Sequence, residues 1–224
     1  MRFVIGTILA VFLTVPMYAQ KGAADRLKAA TEDLDAMAGA SDKGIPETLL
    51  SKAQCVAVIP NVKAGGFIVG GEYGKGFFSC RKKSGVGWSA PGSIRIAGGK
   101  FGLLIGGKET DVIMLIMHER GMNSLLSDKF QMGGELSGAA GPIGRDSTAM
   151  TDAQLKAEIL TYSRSRGIFG GIDLSGSTVT QDTDSNKELY GSAITNKEIL
   201  NGNPPTPAEA KPLLQTLTRL SSRK

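Results

Sequence analysis

Apolar residues recur at helical spacing near both ends of the chain, and this pattern predicts helices there. Between Ala23 and Ala38 the apolar side chains fall three or four residues apart, which places them on one face of an amphipathic helix. Pro46 is expected to begin a short second helix that runs through Ala53, since proline fits the first helical turn. Near the C terminus the helical period returns from Pro207 to Ser221, where the apolar side carries Leu213, Leu214, Leu217 and Leu220.

The middle of the chain has a different pattern, which predicts a sheet. Short apolar runs rich in Ile, Val and Phe alternate with glycine and charge, and these runs are typical of strands. The runs are CVAVIP, GGFIVGG, GKGFFSCRK, GSIRIAGG, KFGLLIGG, TDVIMLIM, KFQMGGELSGAAG, AEILTYSRS and GIFGGIDLSG. The segment HERGMNSLLSDK looks helical or turn-like. We therefore predict an α+β fold, with a mainly antiparallel, glycine-rich, curled sheet (barrel-like or sandwich-like) and helices at both chain ends. Residues 20–224 are expected to form a single domain.

The glycine-dense stretch GGFIVGGEYGKG raises the question of a phosphate-binding loop. A Walker loop has glycine five positions before its Gly-Lys pair and a hydroxyl residue after the lysine. Here Val69 takes the first of these positions and Gly76 takes the second. Glycine inside a strand more often marks a bulge, a bend or a close approach of two backbones. We therefore interpret these glycines as structural positions of a curled sheet.

The N terminus has the pattern of a signal peptide. Arg2 precedes a thirteen-residue, largely apolar run from Phe3 to Val15, which is too short to cross a bilayer. Pro16 ends the run, and Ala19 offers a small residue before a cleavage point at Gln20. We expect residues 1–19 to be removed and the protein to be exported to the periplasm or cell envelope.

Two cysteines, Cys55 and Cys80, are the only ones in the chain. An oxidising compartment permits a disulfide between them. Cys55 opens one predicted strand and Cys80 closes a later hairpin, so a meander would bring the two side by side. Two separate buried thiols are the alternative.

Charge and residue chemistry give little support to an enzyme or a nucleic-acid-binding protein. The net charge is +5 and the positive residues are scattered, so we expect no nucleic-acid partner. His118 is the one histidine, and no Cys/His cluster suggests a metal site. Asp182, Asp184 and Glu188 resemble a calcium loop only loosely, and a solvated loop or helix cap is favoured. We expect no catalytic residues, no metal and no cofactor.

Several linked motifs occur in an order that resembles the SYLF domain family, also called the Ysc84 domain. They are CVAVIP, GGEYGKG, WSAPGSI, FGLLIGGKETDVIMLIM, AAGPIGR, YSRSRGIFGGIDLSG and NKELYG, and the resemblance runs from about Asp25 to Leu220. It implies a domain without catalytic residues. Some family members bind phosphoinositide membranes through an N-terminal amphipathic helix, some bind actin, and exported bacterial members are described as lipid-binding. We accordingly expect a non-catalytic phospholipid-binding protein of the bacterial cell envelope. The alternative is a structural or stress-related envelope protein that acts through protein–protein contacts.

The resemblance points to the first helix as a lipid contact, with anionic lipid favoured. Candidate lipid-binding residues on this helix are Arg26, Leu27, Lys28 and Leu34, while Glu32, Asp33 and Asp35 oppose an anionic surface. The same apolar stripe would serve to dock the helix on the sheet, and docking is favoured.

Three further arginines are candidates for holding a phosphate, namely Arg145, Arg164 and Arg166. Pairing of these arginines with Asp111, Asp146 or Asp173 is the favoured alternative. Actin is not expected as a partner, because the protein is expected to be exported.

Overall fold

The structure, a computed structural model, describes residues 22–39, 44–66, 69–101, 106–144, 150–165 and 167–221. The helices are α1 (Ala23–Ala38), α2 (Glu47–Lys52), α3 (Glu119–Leu125), α4 (Asp152–Lys156), α5 (Thr183–Tyr190), α6 (Asn196–Gly202) and α7 (Lys211–Leu220). The strands are β1 (Cys55–Gly66), β2 (Val69–Cys80), β3 (Gly92–Phe101), β4 (Gly106–Ile116), β5 (Lys129–Gln131), β6 (Gly138–Ala140), β7 (Ile159–Ser165), β8 (Ile168–Gly171) and β9 (Thr178–Gln181). The predicted α+β fold with helices at both ends is confirmed.

The nine strands of the described chain form one strongly curled sheet. Its order is β5-β9-β3-β2-β1-β4-β7-β6, with β8 also paired to β7. Every pair is antiparallel except β6 with β7, which is parallel. The long neighbours β1, β2, β3 and β4 make up the centre, and the short strands lie toward the edges.

Two of the predicted strand runs do not form separate elements. The run KFGLLIGG covers the end of β3 at Phe101 and the start of β4 at Gly106, and its residues 102–105 lie outside the described residues. The run GGFIVGG spans the connection between two long strands, because β1 continues to Gly66 and β2 begins at Val69. The pairing of Gly65 with Gly71 and of Gly66 with Gly70 makes this region a β-hairpin. The consequence is that β1 and β2 are immediate neighbours, paired on both sides of a register shift.

Both faces of the central strands are buried, which explains why the sequence shows apolar runs instead of strict alternation. On one face, Val56, Phe77 and Ile113 pack against the helices α1, α2 and α7. On the other face, inside the curl, Ile59, Ile96 and Met114 belong to a second core that also contains residues of α3 and β5. An apolar side chain is favourable at nearly every position when helices cover one face and the curled sheet covers the other.

Close packing inside the curl depends on a bulge in β1 and on glycines in β2. The register of β1 shifts between Val58 and Lys63, where Asn61 adopts a positive φ of 51°. The bulge presses β1 onto Gly76, where an added Cβ would come 2.6 Å from the Cα of Ile59. At Gly74 an added Cβ would lie 2.8 Å from Cγ2 of Val62. The interpretation of strand glycines as close-approach positions is therefore confirmed at Gly74 and Gly76.

The disulfide between Cys55 and Cys80 is present, as predicted, and both residues are buried. The two cysteines lie directly opposite each other in the register of β1 and β2. The bond therefore joins the start of β1 to the end of β2, at the base of the long hairpin.

Loss of this bond is expected to lower the free energy of unfolding. The cysteines are 25 residues apart in sequence, and closing a loop of that length stabilises a fold by about 3–4 kcal/mol in the chain-entropy model. We expect the Cys55→Ala, Cys80→Ala double variant to show this loss in urea unfolding, and the reduced parent protein should match it. Two free thiols in the oxidised parent protein, measured by mass under non-reducing conditions, would contradict the pairing.

Several short elements were missed by the sequence pattern. Strand β9 pairs with β3 and β5, although its TVTQ sequence has little apolar character. Helices α4 and α6 each begin with a capping box, at Thr151 and Thr195. Helix α5 begins at Asp182, whose side chain accepts a hydrogen bond from the Ser185 N–H. This position confirms the helix-cap interpretation of the acidic segment around Asp182.

Candidate functional site

Helix α1 is docked on the domain through the stripe that was also a candidate for lipid insertion. Leu27, Leu34 and Met37 have no exposed surface, and they share a core with Leu213 and Leu217 of α7. The favoured docking alternative is therefore confirmed. The placement of Leu27 and Leu34 beneath lipid headgroups does not hold in this conformation, because the domain already covers both side chains.

Arg26, another candidate lipid contact, belongs to a network that ties three elements together. Its Nη2 donates to Oγ of Ser185 at 2.6 Å, and Ser185 Oγ donates to Oδ2 of Asp182 at 2.7 Å. The Nζ of Lys75 lies 2.9 Å from the same carboxylate oxygen. Burial opposes ionisation of Asp182, but the bonds from Ser185 and Lys75 outweigh burial and hold its pKa below the ordinary value. The lysine of the Gly-Lys-Gly stretch is therefore an ion-pair partner inside the fold.

Arg164 lies between two carboxylates. Its Nε and Nη2 donate to Oδ2 of Asp111 at 3.2 and 3.1 Å, so the predicted alternative of pairing with Asp111 is confirmed. Its Nη2 also donates to Asp33 of α1, a partner that the sequence did not suggest. Asp33 is only 6% exposed, and burial together with the neighbouring Asp111 raises its pKa from 3.8 to about 7, although Arg164 acts in the opposite direction. The cluster fixes α1 to strands β4 and β7.

A groove of about 570 Å³ lies beside this cluster. Its charged lining consists of Lys63, Lys108 and Arg164 together with Glu109 and Asp111. Lys63 Nζ lies 3.9 Å from Glu109 Oε1, and both side chains are largely exposed. Both carboxylates of the lining lie close to cations of the same lining, so its walls do not select strongly for an anion.

The sequence-predicted site residues do not converge in the described part of the chain. Arg26 and Arg164 belong to the two separate networks above, and Lys28 is exposed on α1. Arg145, Arg166 and the predicted signal segment 1–19 lie outside the described residues. A role of these arginines in lipid binding stays a prediction.

Among the described residues, no three His, Cys, Asp or Glu side chains are close enough together to hold a metal ion. His118 is exposed at the N-cap of α3. No helix in the described ranges is both long and apolar enough to span a bilayer.

A basic hairpin turn with an apolar tip is the most distinctive exposed feature. It connects β2 to β3 and comprises residues Lys82, Lys83, Ser84, Gly85, Val86 and Gly87, which we call the basic hairpin. The side chain of Val86 is 79% exposed, and Lys82 and Lys83 are exposed beside it. Gly85 and Gly87 both have positive φ, which only glycine adopts without strain.

The base of the basic hairpin is rigid. The bridge between Arg81 and Trp88 closes it, and the Arg81 guanidinium lies 4.6 Å from the centre of the Trp88 ring. Arg81 also donates to the carbonyls of Ala53 and Ser221 at 3.1 and 2.9 Å. The turn is therefore presented from a fixed support, next to the Cys55–Cys80 disulfide.

A cleft of about 270 Å³ opens behind the basic hairpin. Met122 and Leu126 of the α3 segment form one wall, and Leu200 of α6 forms another. Cys80, Lys82 and Lys83 line the side of the hairpin. The cleft is thus apolar within and basic at its rim, which is the pattern expected for an anionic amphiphile.

Sequence reasoning missed the basic hairpin and the cleft for different reasons. The KKSGVG turn between two predicted strands was visible, and two lysines beside a glycine-flanked valine would have been a usable signal. The cleft had no local signal, because its walls come from three distant segments.

Comparison with known proteins identifies one matching family and several similar proteins. The Ysc84 family, described as "Las17-binding protein actin regulator", matches residues 97–220. Protein YSC84 of Saccharomyces cerevisiae is 34% identical over 180 residues, which cover 79% of this chain and 38% of that protein. LAS seventeen-binding protein 3 of the same yeast is 33% identical over 180 residues, covering 79% of this chain and 39% of that protein. The human SH3 domain-containing YSC84-like protein 1 is 33% identical over 183 residues, covering 81% and 53%.

These relatives are longer proteins, so this chain spans about two-fifths to one-half of their length. One of them, LAS seventeen-binding protein 3, is named as a binding protein, and none of the three names is that of an enzyme. One expectation was wrong. Actin was not expected as a partner, but the family description is that of an actin regulator that binds Las17, which links this domain type to the actin machinery.

Proposed function

The chain belongs to the Ysc84 family, and from this premise we propose that it is a non-catalytic domain that binds anionic phospholipid surfaces. The observation that carries the proposal is the basic hairpin, where Lys82, Lys83 and the side chain of Val86 are all exposed on one turn. The apolar face of α1 is not available for this role in the described conformation, since it forms part of the core.

The hairpin has the two properties that peripheral membrane contact requires. A lysine near an anionic membrane surface contributes about 1 kcal/mol of attraction, and two neighbouring lysines act together. An apolar side chain at the tip enters the boundary between headgroups and acyl chains, where it loses contact with water. The fixed base formed by Arg81 and Trp88 means that little conformational entropy is lost when the turn meets the surface.

We propose the cell envelope as the location of this activity. Support comes from the signal-peptide pattern of residues 1–19 and from the Cys55–Cys80 disulfide, which suits an oxidising compartment. Amino-terminal sequencing of the protein made in its own cells should begin at or near Gln20. Protein that retains Met1 would contradict export.

Reversal of the two hairpin charges is expected to weaken vesicle binding more than tenfold. The Lys82→Glu, Lys83→Glu variant replaces attraction by repulsion at an exposed turn, at about 1 kcal/mol for each residue. Co-sedimentation with vesicles of phosphatidylcholine and phosphatidylglycerol measures the change. Added salt should also weaken binding by the parent, because screening acts on exposed charges.

The matched control is Lys187→Glu, Lys197→Glu, which makes the same charge change at exposed positions of α5 and α6. This control should bind vesicles at nearly the parent affinity. A third variant, Lys28→Glu, tests the contribution that the sequence predicted for α1. Parent-like binding by the hairpin variant, or equal losses in the hairpin variant and the control, would remove the hairpin from the proposal.

A second candidate function is binding to a protein partner, and it has its own support. The family description names Las17 as a partner of its members. In this chain Ile168 is 77% exposed on β8, a strand that pairs with β7 on one side within the described sheet. Vesicle binding separates the two candidates, since a purely protein-binding domain would itself remain in the supernatant when the vesicles sediment.

A further inference from the structure

We propose that the cleft behind the basic hairpin holds one acyl chain of an anionic phospholipid whose phosphate is bound by Lys82 and Lys83. The inference rests on the proposed function and extends it, because it assigns a binding site for an individual lipid molecule in addition to contact with a surface. The cleft would take a single chain and leave the rest of the lipid outside.

The walls of the cleft have the composition that an acyl chain requires. Met122, Leu126 and Leu200 are each partly buried, so their side chains retain apolar surface on the cleft. Displacing water from such a surface by hydrocarbon is favourable in proportion to the apolar area covered.

The rim selects for negative charge. The cleft is bounded by Arg81, Lys82 and Lys83 on the hairpin side and by the neutral Asn201 and Asn203 on the other, and its described lining contains no carboxylate. Arg81 is held by carbonyl groups and by Trp88, as described above, which leaves Lys82 and Lys83 as the headgroup contacts. A phosphate at this rim would meet positive charge at the mouth of an apolar space.

The cleft is built by fixed elements, so it exists before any ligand arrives. Helix α6 is held to β3 because Asn196 Nδ2 donates to the Ser93 carbonyl at 3.1 Å and Asn186 Nδ2 donates to Asn196 Oδ1 at 2.9 Å. Helix α3 packs closely on β4, where a Cβ at Gly121 would come 2.8 Å from Cγ2 of Ile116. The disulfide fixes the hairpin side. Preformed walls keep the entropic cost of binding low.

The size of the cleft limits the ligand. Its volume of about 270 Å³ is just below the range of roughly 300–1,000 Å³ typical of pockets that enclose a whole small molecule. A complete two-chain phospholipid does not fit, whereas part of one extended chain does. The second chain and the glycerol would remain outside, at the surface where Val86 is exposed.

The test uses monomeric lysophosphatidylglycerol, below its micelle concentration, titrated into the parent protein by calorimetry. Affinity should rise about fourfold for each added methylene while the chain fills the cleft, and then level off. In methyl NMR spectra, resonances of Met122, Leu126 and Leu200 should shift, whereas those of Leu213 in the α7 core should not. Lysophosphatidylcholine of equal chain length should bind at least several-fold more weakly, because its headgroup has no net charge.

Three variants separate this proposal from the proposed function. Leu126→Gln places a polar group in the cleft and should weaken binding of monomeric lysophosphatidylglycerol about tenfold or more, while vesicle binding persists. Leu155→Gln, at an exposed position of α4, is its matched control. Val86→Gln lies outside the cleft lining and adds no charge, so it should weaken vesicle binding while binding of the monomeric lipid persists. Lys82→Glu, Lys83→Glu should weaken both.

Each contrary result has a distinct meaning. If the parent binds vesicles but not monomeric lysophosphatidylglycerol, the cleft is not a lipid site and the surface proposal still stands. The same holds if the lipid shifts methyl resonances throughout both hydrophobic cores. Equal affinity for the neutral lipid would overturn the anionic assignment. Failure of the parent to bind either probe would overturn both proposals. If Leu126→Gln does not fold, the parent NMR shifts and the exposed lysine variant still decide the outcome.

Discussion

Gly76→Ala is expected to destabilise the protein by about 3 kcal/mol, the upper part of the usual range for overpacking a core. A new methyl group at this position would press on the backbone of β1, with the Cα of Ile59 only 2.6 Å away and the carbonyl oxygen of Val58 nearer still. Backbone atoms of a central strand cannot move aside as a flexible side chain can. Strands β1 and β2 would have to move apart where they pair, and both faces of β1 are buried there.

Urea unfolding measures this effect, with the fluorescence of Trp88 as the signal, because Trp88 is the one tryptophan of the chain and is buried. Gly99→Ala is the matched control. Gly99 lies in β3, and an added Cβ there meets no atom of the described structure within 4 Å. The control should unfold near the parent midpoint, within about 0.5 kcal/mol. Equal stability of the two variants would show that the bulge of β1 yields easily and that Gly76 is not a required close approach.

The elements that the sequence predicted are those whose burial follows from their local pattern. Helix α1 was predicted over its full length, because one-sided burial at helical period leaves a readable stripe. Strands β1, β4 and β7 were visible as apolar runs, since buried strands need apolar residues. The cysteine pair was also accessible, because only two cysteines exist.

The parts that sequence reasoning missed are those that depend on distant neighbours. Strand β9 is short and polar, and it exists because β3 and β5 offer backbone partners on both of its sides. The contact of Arg164 with Asp33 joins residues 131 apart in sequence, which no local period encodes. For the same reason the candidate site moved from α1 to the basic hairpin. Whether an apolar stripe faces lipid or its own core depends on the rest of the fold, and here α7 and the sheet cover it.

Arg164→Met is expected to lower the free energy of unfolding by about 3 kcal/mol above neutral pH, the lower end of the range for breaking a buried ion pair. The substitution keeps the length of the side chain but removes every hydrogen bond to Asp111 and Asp33. Asp33 and Asp111 would then lie against each other without the guanidinium that now offsets their negative charge. Arg95→Met is the matched control. Arg95 is exposed on β3 and contacts the Thr180 hydroxyl, so its loss should cost less than about 0.5 kcal/mol.

The destabilisation should depend on pH in a defined direction. The pKa of Asp33 is about 7 in the folded protein and near 3.8 when unfolded, so between these values the folded state retains a proton that the unfolded state releases. This group therefore contributes stability that is fully present below about pH 4 and is lost as the pH rises through about 7. Arg164 lowers this pKa, so its removal raises the pKa further. The loss in Arg164→Met should accordingly be larger at about pH 8.5 than at about pH 5.

Asp33→Asn supplies the decisive comparison. An amide at this position carries no charge and can donate a hydrogen bond to Asp111, the neighbour that now contributes to the raised pKa of Asp33. In the Arg164→Met background the change should recover about 1–3 kcal/mol above neutral pH, because it removes a buried, uncompensated carboxylate. It should also abolish the part of the pH dependence that comes from Asp33. If Arg164→Met loses the same stability at both pH values, and Asp33→Asn restores none of it, Arg164 would stabilise α1 through packing alone and the two carboxylates would not be coupled to the docking of the helix.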